Sequence, residues 1–173
     1  IAESVSASGV NKLVLFNTHG GNVGLMDVVG RELRTRLGML VYSVSWFNLP
    51  LHGPDGEDIL ARFSPEERRF GVHAGQMETA MMLALKPRLV RQSKMQAFES
   101  SSQPRAAAHR ILGNGKSAKL AWAAQDLNHE GAAGNAAAAN VDDGMALLDA
   151  AGRALADLLK EIDRLPADTL KAG

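Results

Sequence analysis

The feature that most narrows the possible folds is a short apolar run closed by a glycine turn. Leu13, Val14, Leu15 and Phe16 follow one another without a polar break, and Asn17, Thr18, His19, Gly20, Gly21 and Asn22 come directly after. A strand that is apolar on both faces is covered on both sides, as in a parallel sheet flanked by helices. Beyond the turn, Leu25, Val29, Leu33 and Leu37 recur at four-residue spacing with Arg31, Glu32, Arg34 and Arg36 between them. That pattern predicts a helix from about Val23 to Leu37, closed by Gly38. Met39 to Trp46 is rich in β-branched and aromatic residues and reads as a second strand. Strand, helix, strand at this spacing is a βαβ crossover, which makes the two strands parallel. The predicted class is α/β, and the turn at the end of the first strand lies where open α/β sheets hold ligands.

The remaining elements follow from local signals. Ile1 to Gly9 reads as the end of a helix with Gly9 as its cap, and Phe47 to Glu57, with Pro50, Pro54, Asp55 and Gly56, as a loop. Ser64, Pro65, Glu66 and Glu67 form a capping-box start for a short helix that Gly71 interrupts. Gln76 to Leu85 is a helix with Met77, Met81 and Leu85 on one face, ended by Pro87. Ser93 to Gly115 carries no firm signal, Lys119 to Ala123 reads as a strand around Trp122, and Gln125 to Asn140 as a Gly, Asn and Ala-rich loop with one helical turn. A final helix runs from about Val141 to Leu165, with Met145, Leu148, Leu155, Leu158, Leu159 and Ile162 on one face. No repeat or linker divides the 173 residues, so a single domain is expected.

Charge and composition exclude several functions. The 19 acidic and 19 basic residues balance, which argues against nucleic acid or an anionic membrane as partner. No apolar run approaches the ~20 residues that span a bilayer. The absence of cysteine removes thiolates as metal ligands and leaves His, Asp and Glu. A cytoplasmic location is the expectation. The chain opens on Ile1 rather than Met, close to the first strand, which reads as a cut edge.

Three places could carry chemistry. His19 sits in a turn whose glycines let a ligand approach and whose imidazole can bind a divalent ion; the alternative is a solvated turn residue, and the local pattern does not choose between them. His73, Ala74, Gly75, Gln76, Met77, Glu78 and Thr79 place a histidine before a helix and two polar side chains at its donor-rich start. Glu78 alone could be a favourable first-turn charge. Asp126 and Asn128 could line a pocket, but a surface or subunit contact is the preferred reading. His52, His109 and His129 stand alone and read as ordinary histidines.

At these residues the sequence resembles the creatininase (creatinine amidohydrolase) family. Asn17 to Asn22 is similar to that family's Asn-Gly-His-Gly-Gly-Asn signature, and His73 to Thr79 to its His-Ala-Gly-Glu-x-Glu-Thr motif. Trp122 to Ala139 resembles its later Gly-rich region. The resemblance implies a three-layer α/β/α fold with a mainly parallel sheet, a homo-oligomer of hexameric type, and a hydrolase of non-peptide amide bonds. It implies two divalent metals per subunit (Zn, Mn or Fe), with His19 and Gln76 at metal-binding positions, His73 as the proton-shuttling histidine and Glu78 as an orienting acid or ligand.

Two positions depart from the family pattern. Gln76 stands where many members have Glu, and Gly21 where creatininase has a second acidic ligand; a neutral amide is a poor ligand for a hard cation. The family's Glu-x-His and downstream Asp belong to an N-terminal segment that the 173 residues do not contain, so the chain is expected to be the C-terminal portion of a longer protein. The expected activity is metal-dependent hydrolysis of a small cyclic amide or formamide. The rivals are a peptidase of the same fold acting on a modified peptide, and a catalytically silent paralogue serving as a binding or assembly subunit.

Overall fold

The computed structural model describes residues 1–171. In chain order its regular elements are α1 (Ala2–Ala7), β1 (Lys12–Asn17), α2 (Val23–Leu37), β2 (Leu40–Ser45), α3 (Pro65–Phe70), α4 (Gln76–Leu85), β3 (Ala97–Phe98), α5 (Ser102–Ala108), α6 (Ala124–Leu127), β4 (Gly134–Asn135) and α7 (Val141–Arg164), joined by short 3-10 turns. They fall into two compact units, one of Ile1–Pro50 with Ala151–Gly173 and one of Leu51–Ala150.

In the first unit β1 and β2 pair in parallel, with Lys12 opposite Leu40 and Asn17 opposite Ser45. The crossover between them is α2, so the βαβ reading holds. α2 ends where the sequence places its cap: Gly38 lies at φ 68, a left-handed conformation that glycine adopts without a Cβ penalty, and its N–H bonds Arg34 O. Only Leu33 of the predicted apolar stripe is buried; Leu25 is 67% exposed and Val29 37%. Two strands offer α2 less apolar surface than its stripe could cover. β1 is tied at its start to the end of α7. Lys12 Nζ donates to the carbonyls of Ile162, Asp163 and Leu165 at 2.9, 2.6 and 2.8 Å. The Ile162 carbonyl also accepts the Leu165 N–H at 3.2 Å; the last carbonyls of a helix lack partners inside it, and a cation there also suits the helix dipole.

The second unit is built on short elements around Leu51, Ile59, Phe63, Ala80, Leu83, Leu127 and Leu147, all buried. α3 starts as predicted, with Ser64 as N-cap accepting the Glu67 N–H and Pro65 in the first turn. α4 has the predicted limits but a different inner face: Thr79, Ala80 and Leu83 are buried, while Leu85 is 56% exposed. The inner part of α7 is likewise Gly144, Leu147 and Ala150, with Met145 58% exposed. Both differences have one cause. A Cβ at Gly144 would collide with the backbone of Ala80, so the two helices meet closely at these small residues, with Leu83 and Leu147 buried and Leu85 and Met145 left outside.

Lys119 to Ala123 is not a strand. It runs irregularly into α6, whose first turn is closed by Asp126 Oδ2 accepting the Ala123 N–H at 2.8 Å. Among the described residues no strand pairs with the segment around Trp122. The two-residue β3 pairs antiparallel with β4, Ala97 opposite Asn135. No helix among the described residues is long and apolar enough to cross a membrane.

Candidate functional site

The first candidate lies at the carboxyl end of β1. Asn17 is 2% exposed, and its amide organises the turn: Oδ1 accepts the His19 N–H at 3.0 Å and the Asn22 side-chain amide at 3.4 Å, while Nδ2 donates to Ser45 Oγ on β2 at 3.0 Å. His19 then caps the glycine turn, its Nδ1 accepting the Gly21 N–H at 3.2 Å. A Cβ at Gly21 would stand 3.0 Å from the ring, so glycine is what allows imidazole and backbone to close on each other. His19 is exposed, with one ring nitrogen already engaged.

The second candidate lies in the other unit, around His73. His73 pairs with Ala133 in an isolated antiparallel bridge, the Ala133 N–H donating to His73 O and the Val72 N–H to Ala133 O, each at 2.8 Å. Ala74 follows at φ 51, the one non-glycine residue with positive φ among those described. That conformation costs a residue with a Cβ about 1 kcal/mol. Glu78 offsets the cost, its Oε2 accepting the Ala74 N–H at 3.0 Å from the first turn of α4. Trp122 meets the His73 ring edge to face, with centroids 5.7 Å apart and planes at 72°. The backbone fixes His73 on one side, and a 40% exposed indole meets its imidazole.

Gln76 opens α4, and its backbone is held by a residue that the sequence reading assigned only to a cap. Glu67 is 5% exposed. Its Oε1 accepts the Gln76 N–H at 2.6 Å and its Oε2 the Asn135 N–H at 2.8 Å. Ser64 thus performs its half of the predicted capping box, whereas the Glu67 carboxylate reaches across to α4 and β4. Three glycines make room for it: a Cβ at Gly71 would lie 2.5 Å from Oε1, one at Gly134 would lie 2.9 Å from Oε2, and one at Gly75 would also collide. Gly71, Gly75 and Gly134 were visible in the sequence, but nothing there linked them to one carboxylate.

The polar residues of the later loop have structural partners. Asn128 Nδ2 donates to Glu99 O at 3.0 Å, and its Oδ1 accepts the Glu130 N–H at 2.9 Å. His129 is exposed beside Glu130. Among the described residues no group of three or more His, Asp or Glu side chains could hold a metal ion. A catalytic ion needs about three protein ligands. His19 and a neutral Gln76 fall short of that set.

The described residues form a parallel βαβ unit with a histidine-bearing glycine turn after its first strand, and, separately, a clamped histidine before a helix start, in a chain of α/β class. The family model for creatininase, creatinine amidohydrolase, matches residues 1–159, and the chain belongs to that family. Solved structures agree on the fold. A protein described as a creatinine amidohydrolase from Bacteroides fragilis superposes with a TM-score of 0.69 at 23% identity, over 95% of this chain and 59% of that one. A Glu-to-Gln mutant creatininase of Zn-Zn type gives 0.62 at 21% identity, over 92% and 59%. A Glu-to-Gln mutant creatininase complexed with creatine gives 0.61 at 20% identity, over 95% and 62%. The chain therefore spans about three fifths of the length of these structures. No curated protein sequence matches it.

Proposed function

We propose that these residues are part of a metal-dependent amidohydrolase of the creatininase type, acting on the non-peptide C–N bond of a small cyclic amide or formamide. The observation that carries the reading is the setting of His73. Its backbone is paired to Ala133, the next residue is held at positive φ by Glu78, and its ring lies against Trp122. A strained backbone over-determined by its surroundings is typical of sites where a side chain must be aimed.

In amide hydrolysis water adds to the carbonyl carbon, the C–N bond of the adduct breaks, and the departing nitrogen takes a proton. His73 is the group to move that proton. Glu78 acts through Ala74 as an orienting acid. Metal dependence rests on family membership and on the Zn-Zn form of a structural relative. The donors present here are too few for an ion, so its remaining ligands would come from elsewhere in the polypeptide or from a partner subunit, and no step is routed through it. The substrate is a small-molecule amide, and the working form is a homo-oligomer.

The test is to assay the full natural polypeptide, supplied with Zn, Mn or Fe, against creatinine, simple formamides and a short peptide, with elemental analysis of the purified protein. Turnover of a small amide that His73→Ala abolishes supports the proposal, and cleavage of the peptide alone would move the assignment to a peptidase. A specific observation favours a catalytically silent subunit: Gln76 is neutral and Gly21 carries no ligand atom, while His19 Nδ1 is spent on the turn. Protein that binds no metal and turns over none of these substrates would establish that reading.

A further inference from the structure

We propose that Glu67 is a positioning residue that fixes His73, and that this, rather than capping α3, is the purpose of its buried carboxylate. The inference rests on the role given to His73 above. Each carboxylate oxygen accepts a backbone N–H from one side of the strip that carries His73. Oε1 takes Gln76, three residues after His73, and Oε2 takes Asn135, two residues after its bridge partner Ala133.

The Gln76 N–H is one of the donors that a helix start leaves without a partner inside the helix, and a negative charge there is also favoured by the helix dipole. The Asn135 N–H lies in β4, and the carboxylate spans the gap between the two. Both oxygens are therefore engaged in joining segments distant in sequence, and neither is needed to close α3, which Ser64 caps through the Glu67 N–H. Gly71, Gly75 and Gly134 surround the carboxylate so tightly that any side chain there would displace it. A carboxylate with both oxygens committed to backbone donors, in a slot only glycines leave open, holds the ends of the His73–Ala133 bridge at fixed separation. A reacting group shifted by about 1 Å loses on the order of a hundredfold in rate.

The experiment compares Glu67→Gln, Glu67→Asp and Ser64→Ala with wild type in the full natural polypeptide. Glutamine keeps the length but turns an N–H2 toward one of the two donors, and aspartate keeps the charge but falls short of spanning both. In each, turnover of the substrate found for the wild type should fall about tenfold to a hundredfold, with KM within about threefold, because only a transition-state interaction is lost. The His73 ring resonances should shift. Ser64→Ala should lower the melting temperature and leave both untouched. Folded Glu67 variants with unchanged His73 resonances would overturn the proposal, as would a Ser64→Ala variant that reproduces their effect. Should neither Glu67 variant fold, amide exchange on wild type decides: Gln76 and Asn135 amides as protected as the core support the clamp, and exchange at the rate of surface loops refutes it. If wild type hydrolyses no amide, the functional proposal fails, while the resonance and exchange measurements still judge this one.

Discussion

Lys12→Met tests how the strand that leads to the His19 turn is held. The ammonium has three donors, and all three are used, on Ile162, Asp163 and Leu165 of the α7 C-terminus. Methionine keeps the apolar stem and removes the charge, so the loss belongs to the ammonium alone. The Asp163 bond is exposed, and its carbonyl recovers a water partner at little cost; the other two bonds are part-buried. Leaving the part-buried Leu165 carbonyl unmatched, and the Ile162 carbonyl with only the Leu165 N–H, costs about 2 kcal/mol, and loss of a cation at a helix C-terminus adds about 0.5 kcal/mol. Against this, releasing the lysine from one geometry returns roughly 1 kcal/mol of side-chain entropy. The net destabilisation is about 1 to 2 kcal/mol, which for a chain of this size lowers the melting temperature by about 2 to 8 °C. Differential scanning calorimetry measures this directly, and hydrogen exchange should locate the loosening in the last turn of α7. A melting temperature within about 1 °C of wild type would mean that the ammonium does not hold the end of α7, since its loss lowers the temperature by at least about 2 °C.

Three further outcomes follow from the same geometry. Asn17→Ala removes the acceptor of the His19 N–H and the donor to Ser45; it should cost about 2 kcal/mol and speed amide exchange from His19 to Asn22, while Asn17→Asp, which keeps the acceptor and lets the Ser45 hydroxyl rotate to donate, should be milder. Gly144→Ala should cost about 1 to 3 kcal/mol by driving a methyl onto the Ala80 backbone, read as a lower denaturation midpoint with unchanged m-value. The Glu57 carboxyl is held below the usual glutamate range, first by its hydrogen bond to Arg62 and then by the charge of that guanidinium, which itself lies 3.5 Å from Asp143. A depressed carboxylate contributes stability that is complete above its unfolded pKa and disappears as pH falls through its folded one. NMR titration of Glu57 should therefore show a low midpoint in wild type and a rise toward the ordinary value in Arg62→Met, and an unmoved midpoint would rule out the pairing.

The candidate site residues differ in how far local pattern could reach them. His19 and His73 were visible because a glycine turn after an apolar strand, and a histidine before a helix start, are short-range signals. Glu78 was visible as a first-turn acid, though its bond to the Ala74 N–H depends on a positive φ that sequence does not announce. Glu67 reads as a cap because Ser-Pro-Glu-Glu satisfies the local capping pattern, whereas the partners of its carboxylate lie outside that pattern, at Gln76 on the next helix and at Asn135 far along the chain.

Neighbours along the chain account for the parallel β1–β2 pair with its crossover helix, the Gly38 and Ser64 caps, and the limits of α4 and α7. These depend on apolar periodicity and on backbone preferences of single residues. Packing between remote segments settled the inner face of α4 and of the start of α7, since close approach at Ala80 and Gly144 buries Leu83 and Leu147 beside them and leaves Leu85 and Met145 exposed, while Ile162 of the α7 stripe is buried as its periodicity predicts. It also left Trp122 out of any strand and against the His73 ring. A strand needs a partner and a buried carboxylate needs donors, and both are supplied by chain that is remote in sequence.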